Sequence, residues 1–318
     1  MTVARIAALD AARGVAIGAM VAYHFSWDLS WFGLVDWPVA HAFGWRAFAG
    51  LIAGTFLFLS GFNLVLAHGS TIRWPSLLRG KAILLAAAAG ISLITYLVFG
   101  DSYVRFGILH ALFLSGLLAL PFLQSHWLVS LAAAGFVLTL PFWASGPAFN
   151  GQFWLWTGLG SPEFGSVDYV PLAPWAGVVL LGVALAQSPV AARILARART
   201  LDLQGTFGKG LRLFGRRSLA IYLLHQPILF GLLWLASAAG IIADRAELQF
   251  VRGCTQSCAA TEGAETPCAG ICACTLSGLK EDGVWEPLLA DPEDGALRGA
   301  MNDRYALCLA DPDLMTRR

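Results

Sequence analysis

The sequence predicts an all-α fold, a polytopic membrane helix bundle of about seven transmembrane helices with a small Cys-rich helical tail at its C-terminal end. Three observations predict it. Of 318 residues, 57% are apolar and 13% charged, about half the charge fraction that a soluble domain exposes to water. Apolar stretches of nearly 20 residues recur along the first three quarters of the chain, the length a helix needs to cross the hydrocarbon core. All six cysteines lie between Cys254 and Cys308. The net charge of +1, from 21 basic and 20 acidic residues, excludes the one-sided basic surface of a nucleic-acid binder. The high apolar content excludes intrinsic disorder. The first partner implied is therefore the lipid bilayer.

Seven stretches qualify as spans: Asp10 to Trp27, Trp45 to His68, Arg79 to Phe99, Tyr103 to Leu123, His126 to Trp143, Val170 to Gln187 and Ser218 to Ala243. The fifth and sixth are short enough to be tilted or re-entrant. Asp10 and Arg13 interrupt the first run and no small-x-small cleavage site follows it, so it reads as an uncleaved helix. The segment after the sixth stretch carries Arg193, Arg197, Arg199, Lys209, Arg212, Arg216 and Arg217, and the one after the second carries Arg73, Arg79 and Lys81. Both are expected on the cytoplasmic side. The loop from Ala144 to Tyr169 holds Glu163 and Asp168 without a Lys or Arg, as expected on the far side. With seven spans the N-terminus is inside and the tail outside. In a bacterial cell that means the inner membrane, with the tail in the periplasm.

The chain divides into a transmembrane domain, 1–243, and an extracytoplasmic tail, 244–318, where long apolar runs stop. The tail contains Cys254-x3-Cys258 and Cys268-x3-Cys272, with Cys274 and Cys308 left over. A C-x3-C pair puts both sulfurs on one helical face. Two such helices running antiparallel would join Cys254 to Cys272 and Cys258 to Cys268, leaving Cys274 for Cys308, in the manner of the twin C-x3-C hairpins of small oxidised proteins. Zinc is the rival reading, but its structural sites favour a C-x2-C knuckle and a cytosolic compartment. No metal is predicted.

Ionisable groups in a bilayer need a partner, a cavity or a task. On the first stretch Asp10, Arg13, His24 and Asp28 fall within roughly 60° of one another on a helical wheel. Gly14 flanks that face, and Gly18 lies just beyond it. Asp10 and Arg13 are separated from His24 and Asp28 by roughly 20 Å of helix, which implies two sites, one at each membrane face. His24 and Asp28, four apart, form a candidate base and orienting carboxylate. Arg46, Arg105 and His110 sort to the outer side. Ser218, Tyr222 and His225 share a face in the inner half of the seventh stretch, before Pro227. His41, in the outer loop, is placed to reach a substrate.

The order of several motifs resembles a known family. RIAALDAARGVAIGAMVAYHFSWDL from Arg5, FLFLSGFNLVLAH from Phe56, VRFGILHA from Val104, PLAPW from Pro171 and RRSLAIYLLHQP from Arg216 together resemble the heparan-alpha-glucosaminide N-acetyltransferase catalytic-domain family, in its small bacterial branch. The resemblance implies an integral membrane acyltransferase with acetyl-CoA as donor and an amino sugar or other envelope saccharide as acceptor on the opposite side. Asp10, Arg13, Tyr222, His225 and Arg217 would then hold the donor. His24, Asp28 and His41 are the candidate catalytic groups, and Arg46, Arg105 and His110 would face the acceptor. By position the family's active-site histidine is nearest to His41, while His24 has its partner visible in the sequence. The cysteine-rich tail is foreign to the family core. Two other readings stand beside this one. One is a carrier or flippase for a polar or anionic solute. The other is a haem-binding electron carrier using His110 and His225.

Overall fold

A computed structural model describes residues 6–161, 165–263 and 265–311. Glu163, one of the two acids expected to mark the outer loop, lies outside these described residues. Among them the secondary structure is helical, apart from one isolated bridge between Phe106 and Tyr169. The helices are α1 (Ala7–Trp31), α2 (Phe43–His68), α3 (Trp74–Phe99), α4 (Ile108–Leu118), α5 (Trp127–Trp143), α6 (Leu172–Gln187), α7 (Pro189–Thr200), α8 (Thr206–Arg216), α9 (Ser218–Ala238), α10 (Arg245–Glu262), α11 (Cys268–Glu281), α12 (Trp285–Ala290) and α13 (Gly295–Ala310).

Among the described residues three helices are long and apolar enough to cross a membrane: α2, α3 with its following turn, and α9. α6 and α7 pass the same test together, but an 84° bend separates them. α1 is as long and less apolar, because it carries Asp10, Arg13, His24 and Asp28. Of the about seven spans expected, three among the described residues pass by length and composition, or four if the bent pair is one. The fourth predicted stretch shows why. Only Ile108–Leu118 of it is α-helical, roughly 17 Å long against a core of about 30 Å. His110 folds back on the Gly107 amide at its start, and a 3-10 turn containing Pro121 follows its end.

The chain forms two compact units, one of residues 1–25 and 39–228, the other of residues 26–38 and 229–318. The boundary expected at residue 244 falls inside the second. In the first unit α6 is the central element and packs against α2, α4 and α5. Leu57, Ala111, Ala134, Val179 and Val183 are completely or almost completely buried there. A Cβ on Gly61 would overlap the Val179 carbonyl, and one on Gly182 the Phe58 carbonyl. These glycines let the α2 and α6 backbones touch, as small residues do between helices in lipid. α3 exposes Leu78, Leu93, Ile94 and Leu97, an apolar surface that belongs against acyl chains rather than water.

The second unit is built on a helical hairpin. Cys254 is bonded to Cys272 and Cys258 to Cys268, so α10 and α11 run antiparallel; Cys274 is bonded to Cys308 on α13. Ile271, Leu279 and Trp285 fill the space between these helices and α12. Asp244 caps α10 and Asp294 caps α13 through backbone amides. Ion pairs join Lys280 to Glu247 at 2.7 Å and Arg252 to Asp36 at 2.6 Å.

Candidate functional site

On α1, Arg13, Ile17 and Met20 step by four and three, and Tyr23 and His24 lie three and four residues beyond Met20, which is one helical face. On α2, Arg46, Gly50, Ala53, Phe56, Ser60, Asn63 and Ala67 keep the same spacing, and His68 follows next to Ala67. The small members of this stripe leave room that larger side chains would fill. Between the two faces lies a cavity of about 770 Å3, completed by residues of α4, α6, α9 and the loop before α6. Its wall follows α2 from Arg46 in the first turn to His68 in the last, roughly 33 Å of helix. Of the four groups expected to mark two sites, Arg13 and His24 line this one cavity.

At the first end, buried Asp10 accepts from Arg216 Nε at 3.1 Å and lies 3.8 Å from Arg13 Nη1. The sequence places Arg216 and Asp10 206 residues apart, and glycine brings them together. A Cβ on Gly14 would overlap the Leu211 carbonyl, and one on Gly215 the Asp10 carbonyl, so α8 lies directly on α1. Gly14 thus admits a neighbouring backbone, whereas Gly18 has nothing within 4 Å of it. Arg13, Asn63, His68 and Ser218 line this end. Arg217 is exposed and outside the lining; Arg216 makes the contact with Asp10.

At the other end the central group is Asp168. Its Oδ2 accepts from the Ile108 amide at 3.0 Å, at the first turn of α4, where the helix dipole favours an anion. The Tyr222 hydroxyl donates to the same carboxylate. A Cβ on Gly107 would collide with Asp168, so the glycine makes room for it. Burial pushes the Asp168 carboxyl above the ordinary carboxylate range, and the two hydrogen bonds pull it part of the way back. Tyr23, Arg46 and Asp168 all line the cavity here.

His24, in the same wall, packs its ring against that of His225 with centroids 4.9 Å apart. His225 Nδ1 is 2.8 Å from the Tyr222 carbonyl and so donates to it. That fixes the tautomer and leaves Nε2 as an acceptor. Nε2 is buried and has no hydrogen-bond partner among the described residues. Tyr222 and His225, expected beside Asp10 and Arg13, therefore sit with Asp168 and His24.

The remaining candidates are placed as follows. Arg105 Nη1 donates to the Asp101 and Gly165 carbonyls at 2.7 and 2.9 Å and stacks on Tyr103, tying down the loop that carries Asp168. His110 Nδ1 accepts from the Gly107 amide at 3.2 Å, and its Nε2 lies 3.4 Å from Ser92 Oγ, a capping arrangement outside the cavity wall. His41 is exposed and is not part of that wall. Asp28 is completely buried and belongs to the second unit.

Asp168, Arg216, Ser60 and Asn63 were not among the candidates read from the sequence. The α2 stripe had a signal, polar and small residues at helical spacing. Asp168 had none, since a loop acid acquires its partners only through folding. The arrangement offers arginines for an anion at one end, a carboxylate with a histidine pair at the other, and room for an extended reactant between. Among the described residues no group of three His, Cys, Asp or Glu side chains is placed to hold a metal.

A family model described as heparan-alpha-glucosaminide N-acetyltransferase, catalytic, matches residues 5–227. No curated protein and no solved structure matches the chain.

Proposed function

The chain belongs to the family of the heparan-alpha-glucosaminide N-acetyltransferase catalytic region, and from that premise we propose that it transfers an acetyl group from acetyl-CoA, taken at the Arg13 end, to an amino sugar or other envelope glycan at the Asp168 end. The observation that carries this reading is the single cavity joining an end lined by Arg13 to one lined by Asp168 and His24, with His225 packed against His24. Arg13, oriented by the buried Asp10, holds the anionic donor. The pantetheine arm lies along the α2 stripe, and the thioester reaches His24. Ionised Asp168 accepts a hydrogen bond from the acceptor's unprotonated amine and orients its lone pair. His24 takes the proton that the amine loses as nitrogen bonds to the carbonyl carbon, and Arg46 faces the developing oxyanion. The carbon–sulfur bond then breaks, and His24 passes that proton to the departing sulfur, which leaves as the thiol. The His225 ring, packed edge-on against that of His24, keeps it in register. Exposed His41 takes no part in this reading.

The orientation that fits puts α7 and α8 in the cytoplasm, since basic segments stay inside. The tail then lies in the periplasm of a bacterial inner membrane, where disulfides persist. The test is to incubate the purified full chain with radiolabelled acetyl-CoA and a glucosamine-terminated oligosaccharide. Label in the sugar is expected. Label on neither sugar nor protein, together with solute uptake into vesicles, would favour a carrier that uses the same cavity.

A further inference from the structure

We infer that α7 and α8 form a binding surface for the anionic headgroups of the bilayer, lying in its plane beside the Arg13 end of the cavity. The inference rests on α6 crossing the membrane and is independent of acyl transfer.

Four observations lead to it. α7 leaves α6 at 84°, so a helix continuing from a membrane-crossing α6 must run along the surface. From Pro189 to Arg217 there are seven basic residues and one acid, Asp202. Among the described residues, Arg193, Arg197, Arg199 and Lys209 have no carboxylate at ion-pair distance. Large apolar side chains are interleaved with these cations. On α7, Val190 and Ile194 are exposed on the face that also carries Arg193 and Arg197. On α8, Leu213 is 51% exposed one turn after Lys209 on the same face, and Phe207 and Phe214 are 80% and 49% exposed on its flank.

The face of α8 opposite Leu213 explains why these side chains remain outside. Gly208, Leu211 and Gly215 turn inward, the glycines buried against main chain, so the helix is fixed on the protein and cannot rotate to hide its phenylalanines. Exposed apolar side chains such as Val190, Ile194 and Leu213, set beside cations, are costly in water and favourable where apolar groups enter the acyl boundary and cations meet phosphates. An acidic protein or a nucleic acid would satisfy the charges but not Phe207 and Phe214. The seven-to-one charge balance selects anionic over zwitterionic lipid.

The experiment is native mass spectrometry of the full chain, released from detergent containing equal amounts of phosphatidylglycerol and phosphatidylcholine. Phosphatidylglycerol should remain bound in excess. The triple variant R193Q/R197Q/K209Q should lose that preference by about fivefold for each cation removed. Excess acetyl-CoA should leave the retained lipid unchanged. Equal retention of both lipids by the unaltered protein would overturn the inference without touching the acyltransfer reading. Displacement of phosphatidylglycerol by acetyl-CoA would also overturn it, by assigning the patch to the nucleotide.

Discussion

The two units of this chain are held together in different ways. In the first, no disulfide forms, and α2 meets α6 through glycine against carbonyl. In the second, three disulfides join α10, α11 and α13 around small clusters such as Ile271 with Cys272 and Leu279 with Trp285. Burying an apolar side chain gains little where the alternative solvent is lipid, so helices there associate through shape and a few polar contacts. A small segment in water gains from burial but has too little core to rely on it. The difference teaches where empty space is tolerated. A bundle joined by close backbone contact along α6 can keep a large cavity between α1 and α2, whereas a small cross-linked unit is stabilised by its bonds.

The largest expected effect separates the units by function. His24→Ala should lower kcat for acetyl transfer by about 10²- to 10⁴-fold, with the melting of the cysteine-rich unit unchanged by calorimetry. The converse change is Cys274→Ser with Cys308→Ser. It should destabilise the second unit by about 2–5 kcal/mol and leave acetyl transfer within about twofold of the starting rate. A loss of transfer as deep as that of His24→Ala would erase the contrast between a reacting unit and a cross-linked one.

Asp168→Asn comes next, with an expected fall of about 10- to 100-fold in kcat/KM for the amino sugar, the effect of losing one charge-assisted hydrogen bond. The pH dependence sharpens it. Because burial raises the carboxyl's pKa, its proton stays on beyond the ordinary carboxylate range. The rate at low substrate should therefore rise with pH through that raised value. The asparagine variant, which cannot ionise, should lack this rise. The smallest change tests the packing itself. Gly182→Ala places a methyl against the Phe58 carbonyl and should cost about 1–3 kcal/mol of stability in the first unit alone, measured by thermal unfolding in detergent.

Much of this architecture is written in periodicity. The stripe on α1 is visible because Arg13 and His24 are conspicuous among apolar neighbours, and the spacing of Cys254, Cys258, Cys268 and Cys272 carries the hairpin geometry within it. The stripe on α2 has the same period, but alanine and glycine resemble ordinary membrane filler, so the cavity's second wall passes unnoticed. The basic segment after α6 reads as a charged loop until the three- and four-residue steps of Gly208, Leu211 and Gly215 are seen to mark a helix. Pairings such as Asp10 with Arg216 and Asp168 with Ile108 and Tyr222 join distant parts of the chain. Local propensity contains no information about them. The fourth stretch forms a shorter helix than its hydropathy predicts, because hydropathy is blind to the break at Gly107, His110 and Pro121.

The central claim is that one cavity carries acetyl transfer from one membrane face to the other. It is tested most directly in sealed vesicles that hold the protein in one orientation, with labelled acetyl-CoA outside and a glucosamine acceptor on both sides. The account predicts labelled sugar in the lumen, and its loss when Ala53→Trp fills the middle of the cavity wall. Labelled sugar only on the side of the donor, at a rate that Ala53→Trp leaves unchanged, would contradict it.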